Sequence, residues 1–220
     1  MNRNWDALYQ LQDWALTAMR AEDHGLYLTG GTALSRGYYA HRYSEDLDLF
    51  ANDAPDFPLW RDRCLEALRN AAERDGLAWE VTLREPRFGR AFARGAVTLK
   101  LEFVNDVPCR IGAVWEHPTL GRLDTKENIL ANKVSALVDR QAPKDVADIY
   151  WLCCRDGLDL NAAVENAKGK AAGLYPPLVA KSLMEAVRGA WSAVPWQNAP
   201  SEKEFEQELQ ALVRQLMEGG

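Results

Sequence analysis

Two acidic residues in the sequence have the spacing that metal-assisted chemistry requires. Asp46 and Asp48 lie in a stretch of alternating polar and apolar residues, which predicts a strand over residues 46–50. Residues i and i+2 of a strand point to the same face, so the two carboxylates stand together while Leu47 and Leu49 pack in a core. Like charges so close repel, and Mg²⁺ relieves the repulsion because it takes carboxylate oxygens together with substrate phosphates. The alternative is an exposed strand face with two solvated aspartates.

A second predicted strand, over residues 97–104, offers a third acid. Apolar residues at 99, 101 and 103 alternate with Lys100 and Glu102, so the charged pair shares the outer face. If this strand neighbours the one with Asp46, Glu102 completes a carboxylate triad that could bridge a second metal ion and help to deprotonate a hydroxyl. An amphipathic strand with both charges in water is equally compatible with the pattern.

A glycine pair lies at the end of a third predicted strand, over residues 26–28. Gly30 and Gly31 let the backbone approach a bulky ligand, and Thr32 begins a short helix predicted over 32–39. The first N–H groups of a helix attract anions, so these three residues could hold a phosphate. Most such turns are only turns, and that alternative stays open.

Charged residues also cluster in the second half of the chain. Lys133 and Arg140 share one face of a predicted helix, and Asp145 and Asp148 share a face of the next. Solvent-exposed charge with weak ion pairs is the alternative, more so for Arg140 and Asp148 than for Lys133 and Asp145. Arg42, just before the acidic strand, could meet a phosphate, steady the acids or lie on the surface.

One stretch of the chain is basic. Four arginines alternate with two phenylalanines, a combination that can grip an RNA backbone and stack a base, although a solvated basic hairpin is the alternative. The arginines are Arg84, Arg87, Arg90 and Arg94.

The composition limits the function classes. With 26 basic and 32 acidic residues among 220, the chain has a net charge of −6 and a pI of 5.2, which argues against a protein that coats nucleic acid. No stretch approaches the length of a membrane span, and the four cysteines lack paired spacing. We therefore expect a reduced, cytoplasmic protein without membrane contact.

The remaining elements divide the chain into a mixed α/β half and a helical half. Asp124 and Glu127 form a helix-start signature, so we place the boundary between two lobes, 1–122 and 123–220, just before it. Further helices are predicted over residues 5–20, 59–74, 144–154, 160–172, 177–191 and 202–217, and further strands over 78–83 and 88–92.

Taken together, these motifs resemble the nucleotidyltransferase fold of the DNA polymerase β superfamily, and more specifically the AbiEii-type nucleotidyltransferase toxins. The resemblance rests on LTGGTAL at 28–34, HRYSEDLDLF at 41–50, KENILANK at 126–133 and PKDVADIY at 143–150. It implies an α/β fold, a mixed sheet with flanking helices, followed by a helical lobe that closes a cleft. It covers about residues 27–152.

The resemblance also implies roles for single residues. Gly30, Gly31, Thr32 and Arg42 would hold the nucleotide, and Asp46 and Asp48 the metal ions. Lys133 would contact phosphates and Asp145 would be catalytic. Glu102 stands where the superfamily usually has a third Asp.

The implied reaction is the transfer of a nucleoside monophosphate from a nucleoside triphosphate, with two Mg²⁺ ions, to an acceptor such as a tRNA 3′ end. The protein would then be a toxin neutralised by a cognate antitoxin. Two other interpretations remain: a small-molecule nucleotidyltransferase of the aminoglycoside-modifying type, and a non-catalytic nucleotide-binding module.

Overall fold

The computed structural model describes residues 4–218, and their contacts divide the chain into two compact units. Of the described residues, the first unit contains residues 4–33 together with Ser44–Pro108 and Val114–Asp124. The second contains Leu34–Tyr43, Cys109–Ala113 and the chain from Thr125 onward. Short segments from the first half of the sequence therefore belong with the helical half.

The first unit is built on a seven-stranded mixed sheet. The strands are β1 Tyr27–Thr29, β2 Leu47–Asn52, β3 Ala78–Glu85, β4 Phe88–Arg94, β5 Thr98–Asp106, β6 Trp115–His117 and β7 Gly121–Leu123. Their spatial order is β3-β4-β5-β2-β1-β7-β6, and the pairs β2–β5 and β1–β7 are parallel while the others are antiparallel. The two short strands β6 and β7 were not predicted, since three residues carry too little pattern to be recognised.

Two long helices accompany the sheet. Helix α1, Trp5–Arg20, begins where the side chain of Asn4 accepts a hydrogen bond from the Ala7 amide, and its buried face carries leucines at helical spacing. Helix α3, Phe57–Asp75, ends at Gly76, whose φ of 69° is a left-handed conformation that glycine adopts without strain. Both helices were predicted from their apolar period.

The second unit is helical. Helix α2, Gly30–Thr32, continues across the unit boundary into a π-helical segment, Ala33–Tyr39, and another π-helical segment, Trp151–Arg155, follows α5. The remaining helices, in chain order, are α4 Lys126–Arg140, α5 Pro143–Tyr150, α6 Leu160–Ala167, α7 Pro176–Val187, α8 Ala190–Ala193 and α9 Glu202–Glu218. The predicted helix over 177–191 is divided, because Gly189 adopts a left-handed φ of 71° between α7 and α8.

The predicted start of α4 was wrong by one residue. Thr125, not Asp124, accepts the hydrogen bond from the Asn128 amide that caps the helix. Asp124 instead accepts a hydrogen bond of 2.7 Å from the Thr29 hydroxyl within the first unit. A carboxylate three residues before Glu127 thus satisfied the sequence signature but is used to fasten β1.

None of the helices within residues 4–218 combines the length and apolar character needed to cross a membrane. The four cysteines are all reduced in this structure.

Candidate active site

Asp46 and Asp48 lie where the alternation of the sequence predicts them. Along β2 the side chains of Leu47 and Leu49 are buried in the core of the first unit, whereas Asp48 on the other face is half-buried. The Asp46 side chain, immediately before the strand, is 23% exposed. The apolar residues therefore anchor the strand and leave the carboxylates accessible to a ligand.

Glu102 is brought beside these acids by the pairing of β2 with β5. The strands run parallel, and Asp48 is directly opposite Glu102 while Leu47 is opposite Leu101. Residues opposite each other on paired strands point to the same face of the sheet, so Glu102 shares the face of Asp48. The condition on which the predicted carboxylate triad depended, adjacent strands, is thus met.

Two cations lie among the three carboxylates. The ammonium of Lys100 is 3.0 Å from Oδ2 of Asp46 and 3.3 Å from Oε2 of Glu102. The guanidinium of Arg90 donates to the other oxygen of Glu102, Oε1, over 2.6–2.7 Å. Burial lowers the pKa of Lys100, but the hydrogen bond and negative charge of Asp46 outweigh it, so the net pKa lies above its ordinary value and the ammonium stays charged.

The donor set suits Mg²⁺ only if a substrate completes it. Within residues 4–218, no three side chains of His, Cys, Asp or Glu are arranged to hold a metal ion by themselves. Proteins usually hold Mg²⁺ through one or two carboxylates and leave the remaining positions to water and substrate phosphates. Asp46 and Asp48, two residues apart on a partly exposed face, provide such a pair.

Gly30 is required by the close approach of Asp48. Its φ of 69° is left-handed, and a Cβ placed on it would lie 2.5 Å from Oδ2 of Asp48. Any other residue would be strained in the backbone and would collide with the carboxylate. The glycine therefore brings the turn after β1 next to the acidic face, and phosphate binding by this turn stays a prediction.

Thr32 has a different environment from the one predicted. Its side chain is fully buried, its hydroxyl donates to the backbone oxygen of Asp46, and it lies 2.9 Å from the Ser44 hydroxyl. Its single proton is thus already used within the protein. In this structure Thr32 fixes the backbone that carries Asp46, and a phosphate contact through its side chain would require that hydrogen bond to break.

In the second unit, the charged residues of the sequence converge on Asp148. This carboxylate is fully buried and accepts two hydrogen bonds of 2.7 Å from Arg42, through Nε and Nη2. It also lies 2.8 Å from His41 Nε2 and 2.7 Å from Lys133 Nζ. Burial raises the pKa of Asp148, but the charges of Arg42 and Lys133 outweigh it and hold the pKa well below the ordinary value.

Lys133 joins this cluster to Asp145. Its ammonium is 2.9 Å from Oδ1 of Asp145, whose oxygens also accept hydrogen bonds of 2.7 and 3.0 Å from Arg140. The side chain of Lys133 is only 8% exposed and that of Asp145 is buried completely. The alternative of solvent-exposed charge is therefore wrong for both, and a phosphate contact by Lys133 stays a prediction.

His41 belongs to the same cluster, a position that the sequence did not predict. It is fully buried, and its Nδ1 has no hydrogen-bond partner. Burial lowers the pKa of His41 despite the opposing effect of Asp148, so the ring is neutral in the folded protein and Nε2 donates to Asp148. His41 directly precedes Arg42, and both residues contact Asp148, which lies more than a hundred positions later in the chain. Spacing in the sequence could not predict that contact.

The four arginines predicted to contact RNA each have an acidic partner. Arg84 pairs with Asp62, Arg87 with Asp53, Arg90 with Glu102 and Arg94 with Glu80, at 2.5–2.8 Å. Arg90 and Arg94 lie over the rings of Phe88 and Phe92, at 5.2 and 5.1 Å. The side chains remain 37–62% exposed, so RNA contact stays a prediction, but the stretch is less basic than its sequence indicates.

A sequence profile described as "Nucleotidyl transferase AbiEii toxin, Type IV TA system" matches residues 14–218. The structure is similar to JHP933 from Helicobacter pylori, with a TM-score of 0.65 and 19% identity, covering 100% of this chain and 94% of that chain.

A further structural neighbour is MenT4, a nucleotidyltransferase toxin from Mycobacterium tuberculosis. Its TM-score is 0.51 and its identity 16%, covering 97% of this chain and 84% of that chain. No curated protein sequence matches the chain significantly. The likeness in fold confirms the predicted α/β class with a mixed sheet and flanking helices.

Replacing Gly30 by alanine tests whether the close approach to Asp48 is essential. We expect the G30A protein to displace the Asp48 carboxylate and to lose most of its nucleotidyl transfer, because Asp48 is a predicted metal ligand and such a ligand tolerates little displacement. A loss of stability of about 1–3 kcal/mol should accompany it, from the strained backbone. Gly76→Ala is the matched control, since Gly76 has the same φ but no neighbour within 4 Å of an added Cβ. Full activity of G30A would contradict the assigned geometry.

Replacing Lys133 by methionine tests whether the buried ion cluster stabilises the second unit. Removing one partner of a buried charge pair costs about 3–5 kcal/mol, so urea denaturation of K133M should show a loss of that order. The matched variant is Lys126→Met, whose partner is the partly exposed Asp156, and it should lose less than about 1 kcal/mol. If K133M is as stable as wild type, the cluster is not what holds these helices together.

The neutral state of His41 predicts a dependence of stability on pH. Because its folded pKa lies below 6.5, unfolding takes up a proton as the pH falls below that value, and stability then decreases. The slope approaches about 1.4 kcal/mol per pH unit for one histidine. Asp148 does not contribute to the pH dependence near pH 6.5. The stability that its ionised form provides is lost only below about pH 4.

The measurement is urea denaturation at pH 7.5, 6.5 and 5.5 for wild type and for His41→Gln, which keeps an N–H donor near Asp148. The pH dependence should be shallower in H41Q, leaving the share of His24, whose pKa burial also lowers. Equal slopes in the two proteins would mean that His41 does not titrate as its burial requires.

Proposed function

Since this chain belongs to the AbiEii family of nucleotidyltransferase toxins, we propose that it moves a nucleoside monophosphate from a nucleoside triphosphate to the 3′ end of a tRNA. Nucleotidyl transfer itself follows from the family. The tRNA acceptor and the Mg²⁺ ion are the parts of the proposal that go beyond the family assignment. The observation that carries it is the acidic face formed by Asp46, Asp48 and Glu102 on paired strands.

The reaction is an in-line displacement at phosphorus. An oxygen of the acceptor hydroxyl forms a bond to the α-phosphorus, and the bond from that phosphorus to the bridging oxygen of the β-phosphate breaks. Pyrophosphate leaves with the electron pair of the broken bond, and the hydroxyl proton passes to a base. Mg²⁺ held by Asp46 and Asp48 would supply charge neutralisation on the phosphate oxygens.

The protein's own groups then have separate tasks. Asp46 and Asp48 would hold the metal ion beside the phosphates, and Gly30 with Gly31 allows the backbone to approach the phosphates. Glu102, opposite Asp48, is proposed to accept the hydroxyl proton, since a carboxylate that accepts hydrogen bonds at both oxygens retains lone pairs for a proton. Lys133 and Asp145 are proposed as further catalytic residues, because they lie in the motifs at 126–133 and 143–150.

The choice of tRNA as acceptor is supported by the arginines of β3, β4 and the turn between them. Arg84, Arg87 and Arg94 are exposed, and each would exchange a carboxylate partner for an RNA phosphate. Such an exchange costs little, because exposed ion pairs contribute less than about 1 kcal/mol.

The proposed physiological role is that of a toxin restrained by a cognate antitoxin, as the type IV family implies. Nucleoside triphosphates and tRNA are both cytoplasmic molecules, so the reaction is proposed for that compartment.

The test uses purified protein, Mg²⁺, each of the four α-³²P-labelled nucleoside triphosphates and total tRNA. We expect one or more of them to label tRNA at its 3′ end, and the label to disappear with Asp46→Asn or Asp48→Asn. The matched control is Asp56→Asn, an exposed aspartate of the same unit whose side chain makes no capping hydrogen bond, and it should label tRNA as wild type does.

Two further arms decide the acceptor. Periodate oxidation destroys the terminal 2′,3′-diol of tRNA, so oxidised tRNA should accept no label. Kanamycin serves as a hydroxylated cationic small molecule, and its labelling in place of tRNA would establish the small-molecule alternative. Label on neither acceptor, or label that persists in both aspartate variants, contradicts the proposal.

A further inference from the structure

Lys100 is a cation of the acidic face to which the proposed reaction gives no task. Its ammonium is 3.0 Å from Oδ2 of Asp46 and 3.3 Å from Oε2 of Glu102. Arg90 donates to the other oxygen of Glu102, so this carboxylate is fixed from two sides. The ammonium is therefore held in place by groups that are themselves held.

The ammonium has one more donor than these two carboxylates use. A lysine ammonium carries three N–H groups, and among residues 4–218 that of Lys100 interacts with Asp46 and Glu102 alone. The side chain is 30% exposed, so its third N–H is accessible to a ligand on the acidic face. A phosphate oxygen suits this donor, because it is a strong acceptor and carries negative charge.

The register of the sheet determines where this donor lies. Leu47 is opposite Leu101 on parallel strands, so Asp46 and Lys100, the residues before them, are brought to the same level. Lys100 and Glu102 share the acidic face because they are two residues apart. The ammonium thus lies between the proposed metal ligand Asp46 and the proposed proton acceptor Glu102.

In nucleotidyl transfer the α-phosphorus also lies between those two groups. The acceptor hydroxyl must be next to the base that takes its proton, and the α-phosphate must be next to the carboxylates that would hold the metal. A donor in contact with both Asp46 and Glu102 is therefore beside the α-phosphate. A fixed, compact cation at that point stabilises the negative charge that develops on the phosphate oxygens during transfer.

We infer that Lys100 binds the α-phosphate of the nucleotide through a charge-assisted hydrogen bond, while Asp46 and Glu102 position its ammonium. The identity of this ligand rests on the proposed nucleotidyl transfer. The bond requires neither carboxylate to be released, because the third N–H is the one that binds.

The experiment measures the affinity of the full chain for the α,β-methylene analogues of the four nucleoside triphosphates, by calorimetry in Mg²⁺. The methylene bridge replaces the oxygen whose bond breaks in transfer, so binding is measured without an acceptor. We expect Lys100→Met to bind at least about tenfold more weakly than wild type, through loss of one charge-assisted hydrogen bond. Lys168→Met, which removes an exposed lysine paired with Glu165, should bind as wild type does.

A double variant separates a phosphate contact from the balancing of carboxylate charge. If Lys100 only offsets Glu102, then K100M/E102Q, which removes one charge of each sign, should bind as Glu102→Gln does. If Lys100 binds the phosphate, K100M/E102Q should bind about tenfold more weakly than E102Q, whatever the affinity of E102Q itself. This comparison also decides the matter if K100M alone fails to fold, since the double variant keeps the net charge of the acidic face.

Inorganic pyrophosphate tests the assignment to the α-phosphate, because it corresponds to the β- and γ-phosphates only. Its affinity in Mg²⁺ should change by less than about threefold in K100M, well below the loss of a charge-assisted hydrogen bond. An equal loss for pyrophosphate and for the analogues would overturn the inference. Equal affinities of E102Q and K100M/E102Q would also overturn it, as would a wild type that binds none of the analogues.

Failure of the proposed function would be seen separately. Analogues that bind with the expected differences, in a protein that labels no RNA, would contradict the tRNA acceptor and leave the contact of Lys100 standing.

Discussion

Three carboxylates on one face of two adjacent strands repel one another, and much of the first unit serves to hold them there. Asp48 and Glu102 are opposite each other on parallel strands, and Asp46 lies one step away on the same face. Without opposing charge such a group would destabilise the sheet or take up protons. Lys100 and Arg90 supply that charge from within the sheet, and buried leucines beneath them keep both strands in place.

The same constraint explains residues that do not ionise. Gly30 lacks a side chain because the Asp48 carboxylate approaches its α-carbon, and the Thr32 hydroxyl holds the backbone of Asp46. Both interactions hold the turn after β1 against the acidic face. The turn and the acids are thus a single unit of structure, although fourteen residues separate Thr32 from Asp46.

The sequence predicted what depends on local period. Helix α1, helix α3 and the buried face of β5 follow directly from the spacing of apolar residues, and so does the common face of Asp46 and Asp48. It could not predict the opposition of Asp48 and Glu102, because strand partners depend on contacts more than fifty residues apart. The sequence also could not predict the ion-pair partners of the arginines. Arg87 pairs with Asp53 and Arg84 with Asp62, acids from other parts of the chain.

Two lysines in this chain each bridge a pair of carboxylates, and their burial assigns them different physical roles. Lys100, between Asp46 and Glu102, is 30% exposed, whereas Lys133, between Asp145 and Asp148, is 8% exposed. A partly exposed ammonium can exchange a carboxylate for a phosphate at small cost, since water screens the charges left behind. A buried one can do so only where another cation keeps each carboxylate that it leaves neutralised, because no solvent screens the charge left behind. Lys133 can therefore reach a phosphate only if Arg42 and Arg140 keep Asp148 and Asp145 neutralised, and the hydrogen bonds that these arginines make to the two acids meet that requirement.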